Sequence, residues 1–89
     1  MTQERKIALV TGASRGIGAA IAEKLIQDGF FVVGTATSES GAEKLTAQFG
    51  DNGAGRVLDV RDSAAIDALV TDIEQNFGPV LILVNNAGI

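Results

Sequence analysis

Four residue types are missing from this 89-residue chain: cysteine, histidine, tyrosine and tryptophan. Without cysteine there is no disulfide framework, no thiolate nucleophile and no cysteine-bearing zinc site. Without histidine there is neither a Ser-His-Asp triad nor a histidine metal site. Positive charge is scarce too, with seven lysines and arginines against eleven acids and a net charge of −4. Up to Gly29 the chain holds four basic and three acidic side chains; after it, three and eight. There is no basic stripe and no basic-plus-aromatic surface, so nucleic acid is not an expected partner. No apolar run exceeds five residues, far short of the roughly 20 that cross a membrane, so no membrane partner is expected. The start, Met1-Thr2-Gln3-Glu4-Arg5-Lys6, leads into a short apolar run with no small-residue cleavage pattern. No secretion signal is expected, and the default location is the cytoplasm.

What is present reads as a folded chain, 46% hydrophobic and 20% charged. The length is little more than half of a typical ~150-residue domain. Such a chain buries only roughly 60–65% of its unfolded surface, so the core is small.

Strand and helix patterns alternate. Ile7-Ala8-Leu9-Val10 is apolar on both faces, as a buried parallel strand is. Ile17, Ile21 and Leu25 recur at helical spacing before Gly29. Phe30-Phe31-Val32-Val33 predicts a second strand, and Ser40-Gly41-Ala42-Glu43 has the spacing of a capping box for a second helix ending at Gly50. Asp51-Asn52-Gly53 reads as a turn, and Arg56-Val57-Leu58-Asp59-Val60 as a third, weaker strand. Asp62 or Ser63 caps a third helix with an apolar stripe at Ile66, Leu69, Val70, Ile73 and Phe77. Gly78-Pro79 stops it, and Val80-Leu81-Ile82-Leu83-Val84 is the fourth strand. The order β-α-β-α-β-α-β predicts an α/β fold with a parallel, doubly wound sheet of Rossmann type, in strand order 3-2-1-4. Only its N-terminal half is present, so residues 1–89 are expected to be the dinucleotide-binding portion of a single larger domain.

The segment Thr11-Gly12-Ala13-Ser14-Arg15-Gly16-Ile17-Gly18 joins the first strand to the first helix. A helix start offers unpaired N–H groups and a positive partial charge to an anion. Gly12 allows a tight exit from the strand, Gly16 lets backbone approach a pyrophosphate, and Gly18 lets helix and strand pack closely. The alternative is a turn that only connects. After the second strand no acid appears before Glu39, where an acid would hold the ribose 2′-hydroxyl of NAD. Thr37 and Ser38 offer hydroxyls and Arg15 a guanidinium to a 2′-phosphate, which reads as NADP. Arg15 is otherwise a solvated charge. Asp59 either accepts from an adenine amino group, with Val60 on the adenine face, or caps its own turn. The fourth strand leaves into Asn85-Asn86-Ala87-Gly88. Asn86 offers a carbonyl and an amide to a ribose, Asn85 can hold the loop, and Gly88 removes a Cβ near a ligand. In strand order 3-2-1-4 this loop and the glycine segment share the switch-point crevice, where ligands bind.

These residues resemble the short-chain dehydrogenase/reductase family, whose signatures T-G-x-x-x-G-x-G and N-N-A-G stand here at Thr11–Gly18 and Asn85–Gly88. Within that family, K-I-A-L-V-T-G-A-S-R-G-I-G with G-T-A-T-S-E-S-G-A is similar to the bacterial 3-oxoacyl-[acyl-carrier-protein] reductases. The resemblance implies NADPH-dependent reduction of a β-keto group on an acyl carrier protein, in fatty-acid synthesis, by a cytoplasmic homotetramer. It places cofactor contacts at Gly12, Ala13, Ser14, Arg15, Ile17, Thr37, Asp59, Val60 and Asn86. The family's Ser, Tyr and Lys lie beyond N-N-A-G; this chain has no tyrosine, its lysines are Lys6, Lys24 and Lys44, and its last serine is Ser63. The resemblance therefore implies an N-terminal portion of a longer chain, inactive alone; the bare edge Val80-Leu81-Ile82-Leu83-Val84, with no charge or proline inside it, predicts poor solubility. Alternatives are a short-chain reductase of a sugar, steroid or small ketone, or a nucleotide- or partner-binding module without chemistry.

Overall fold

A computed structural model describes residues 6–14, 16–59 and 61–86. Strand β1 (Ile7–Thr11) leads to α1 (Gly16–Gln27), β2 (Phe31–Ala36), α2 (Glu39–Phe49), a 3-10 turn (Gly50–Asn52), β3 (Gly53–Val57), α3 (Ser63–Asn76) and β4 (Val80–Asn85). The four strands form one parallel sheet in the order β3-β2-β1-β4, as expected for an incomplete Rossmann fold.

The sheet has two apolar layers. Ala8, Val10, Val32 and Ala36 pack with Ala22 of α1 and with Leu45 and Phe49 of α2. Ile7, Leu9 and Val33 pack on the other face with Leu58 and with Leu69 and Ile73 of α3. All five residues of β1 are buried, which is why its run is apolar without alternation. The α3 stripe lies where its spacing puts it, with Ile66, Val70 and Phe77 beside the buried pair. Asp62 caps α3, its carboxylate accepting from the amides of Ala64 and Ala65.

Three boundaries differ from the sequence reading. β2 begins at Phe31 and runs on to Ala36, because Gly34, Thr35 and Ala36 pair with Gly55, Arg56 and Val57 of β3. β3 itself begins at Gly53, the last residue read as a turn and three residues before the expected Arg56, and ends before Leu58. The cap of α2 is Ser38, not Ser40: the Gly41 amide donates to Ser38 Oγ at 3.1 Å. With the helix starting at Glu39, Ser40 already lies inside its first turn and Glu43 is too far along to complete a capping box.

Candidate functional site

Parallel strands place all their carboxyl ends at one edge of the sheet. Along that edge the order of strands sets the order of the exit residues: Asp59 after β3, Thr37 after β2, the glycine turn after β1 and Asn86 after β4. Three strand spacings of about 4.8 Å make this row roughly 14 Å long.

The centre of the row is tied together by hydrogen bonds. Thr11 is opposite Asn85 in the ladder. Its buried hydroxyl accepts from the Asn86 amide at 2.9 Å and lies 3.2 Å from Asn85 Oδ1 and 3.4 Å from the Val84 carbonyl oxygen. Asn86 Nδ2 donates to the Gly12 carbonyl at 3.3 Å. The loops after β1 and β4 are therefore one structure, as the switch-point geometry requires. Asn85 Oδ1 meets the Thr11 hydroxyl, in place of the neighbouring backbone expected for it.

Gly12 turns the chain at φ 65°, a left-handed conformation that a side chain disfavours. Gly18 sits in the first turn of α1, where a Cβ would run into the Gly12 carbonyl oxygen and stand 2.7 Å from Asn86 Nδ2. Close approach, not backbone angle, demands glycine there. The first turn of α1 carries no acidic side chain of its own to offset its positive end. Ser14, Gly16 and Ile17 are exposed at this end, Ile17 to 72%.

The remaining candidates flank this centre. Thr37 is exposed just beyond β2. Ser38, counted with it as a phosphate donor, accepts from the Gly41 amide at Oγ as the α2 cap, which leaves its O–H able to donate. Asp59 is exposed, and both its oxygens are held by Arg61. Oδ1 accepts from the Arg61 amide and Nε, and Oδ2 from Nη2, all at 3.0 Å. The capping alternative for Asp59 is thus realised. The Arg61 guanidinium, then its amide, hold the Asp59 carboxyl below the usual carboxylate range, and the same pairing raises Arg61. Arg15, Val60, Ala87 and Gly88 lie outside the described residues.

Thr35 was not singled out in the sequence, yet its hydroxyl accepts from the Gly12 amide at 3.0 Å and its carbonyl from the Ala13 amide at 2.9 Å. The available signal was a polar side chain within an otherwise apolar strand. Among the described residues no group of three or more acidic side chains is placed to hold a metal ion. Nor is any helix long and apolar enough to cross a membrane.

Comparison with known proteins bears on the same residues. Residues 6–89 match the family model described as short chain dehydrogenase. A 3-oxoacyl-[acyl-carrier-protein] reductase of Haemophilus influenzae is 60% identical over 84 residues, which cover 94% of this chain and 35% of the relative. The proteins of that name from Escherichia coli K12 and Pseudomonas aeruginosa are 57% and 53% identical across the whole chain, covering 36% and 37% of their own lengths. The chain thus spans little more than a third of the curated relatives it matches.

Proposed function

This chain belongs to the short chain dehydrogenase family, and on that premise we propose that it is the NADPH-binding portion of a 3-oxoacyl-[acyl-carrier-protein] reductase. The observation that carries the proposal is the hydrogen-bonded junction of the glycine turn with Asn86, which makes one seat from two loops. The residues present suit a dinucleotide. The backbone at Gly16 is open, with nothing within 4 Å of where a Cβ would stand, and it lies among helix-start amides that favour an anion.

The row of exit residues orders the ligand. Asp59 and Val60 take the adenine end, with Asp59 accepting from the amino group through the lone pair that Arg61 leaves free. Thr37 takes the 2′-phosphate, with Arg15 as its counter-charge. Ser14, Ile17 and the turn built by Gly12 and Ala13 take the diphosphate. Asn86 takes the second ribose. When bound, the cofactor supplies the hydride that turns a 3-oxo group into a 3-hydroxy group.

The family's proton donor is a tyrosine, and none occurs here. The portion is therefore inactive alone, and catalysis and acyl-carrier-protein recognition belong to residues outside these 89. The intact enzyme is a cytoplasmic homotetramer. The deciding experiment is a titration with NADPH and NADH followed by assay of the full-length protein on 3-oxoacyl groups carried by acyl carrier protein. Tighter NADPH binding and reduction of that substrate support the proposal. Turnover of a sugar or small ketone in place of the acyl substrate rejects it.

A further inference from the structure

The first two amides of the glycine turn already have partners within the protein. The Gly12 N–H donates to Thr35 Oγ1 and the Ala13 N–H to the Thr35 carbonyl. Thr35 is 1% exposed, in the fifth position of β2, among Val32, Val33 and Ala36. A valine there would match it in shape and in strand preference. What the threonine adds is an oxygen, and that oxygen meets the amide of a residue in the left-handed conformation. An amide bonded to a buried hydroxyl does not turn to a ligand without leaving that hydroxyl unmatched. Donors for an anion must then come from later in the turn. Ser14 follows directly, and the first N–H groups of α1, at Gly16 and Ile17, have no partner inside the helix.

We propose that Thr35 is a positioning residue of the dinucleotide site: its hydroxyl and carbonyl together pin the Gly12 and Ala13 amides, so that the diphosphate is met by the amides beyond Ala13. Gly12 and Ala13 then contribute the shape of the seat, and Thr35 sets its attitude to β1 and α1 without touching the ligand. This rests on the dinucleotide-binding function proposed above.

The test uses Thr35→Val and Thr35→Ser in the full-length protein. Two ligands are compared: NADPH, and adenosine 2′-monophosphate, which carries the 2′-phosphate but no diphosphate. Thr35→Val is expected to raise the NADPH dissociation constant about tenfold, while adenosine 2′-monophosphate changes by less than about twofold. Thr35→Ser, which keeps the hydroxyl, is expected to restore NADPH binding. Unchanged NADPH affinity in Thr35→Val, equal loss of both ligands, or no rescue by serine would overturn the proposal. If Thr35→Val does not fold, hydrogen exchange on the unsubstituted protein decides. The Gly12 amide is expected to exchange slowly without nucleotide, and fast exchange overturns the role. An unsubstituted protein that binds no dinucleotide while its Gly12 amide exchanges slowly overturns the dinucleotide reading and, with it, the site role of Thr35. That outcome is distinct from a binding protein in which Thr35→Val has no effect.

Discussion

A methyl group added at Gly18 would press on the Gly12 backbone carbonyl and crowd the Asn86 side-chain Nδ2 that donates to it. Gly18→Ala is therefore expected to destabilise the fold by about 1–3 kcal/mol and to weaken NADPH binding, as read by denaturant unfolding and by titration. Thr37→Asp puts a carboxylate where the 2′-phosphate is proposed to lie. NADPH affinity should fall about tenfold or more, with NADH affinity kept or improved. Asp59 gives a pH prediction. Its folded carboxyl is held below its unfolded value of about 3.9 by Arg61. Its contribution to stability is therefore full above that value and is lost as pH falls through the lowered folded one. A carboxyl-carbon NMR titration should place its midpoint below the ordinary range, and Arg61→Gln should return it there. The pair is exposed, so added salt should weaken the difference. At this scale the glycine turn and Asn86 were legible because motif glycines and amides announce close approach. Thr35 was not, because the second strand was read as ending at Val33, which left Thr35 outside it, whereas β2 runs to Ala36.

Among the elements, α2 carries the sharpest contrast. Ser38→Ala removes the acceptor of the Gly41 amide and is expected to cost about 1 kcal/mol. Ser40→Ala, within the helix, should leave the denaturation midpoint nearly unchanged. Equal losses would restore the capping box read from the sequence. That reading failed because two serines compete within three residues, and S-x-x-E spacing favours the second. Tertiary pairing decided otherwise, by carrying β2 on to Ala36. The displaced β3 has a related cause. Gly53-Ala54-Gly55 has no strand preference of its own and looks like punctuation. In the fold, Gly55 pairs with Gly34 of β2, and the position takes glycine because a Cβ there would collide with the Ala42 carbonyl of α2. Its amide donates to Thr46 Oγ1 at 2.9 Å, which helps to tie that strand to the helix. By contrast β1, α3 and the order β3-β2-β1-β4 were legible, since apolar periodicity and the alternation of elements determine them.

At the scale of the molecule, the two edges of the sheet differ. β3 has α2 packed against it, with Gly55 bonded to Thr46. β4 leaves Leu81 and Leu83 exposed, at 61% and 54%, on a strand whose only partner among the described residues is β1. Leu83 pairs with Leu9, on the sheet face that α3 covers farther along. An uncharged edge of this kind is a template for association. The 89-residue chain is expected to self-associate in sedimentation as its concentration rises, and Leu83→Lys to shift it towards monomer. A sharp, monomeric, cooperative melt of the unsubstituted chain would contradict that expectation.

The most direct test of the single seat is an NMR titration of backbone amides with NADPH. Ser14, Gly16 and Ile17 on one loop and Asn86 on the other are expected to shift together, saturating with one dissociation constant. Saturable shifts confined to one loop, or to residues away from both, would contradict the account.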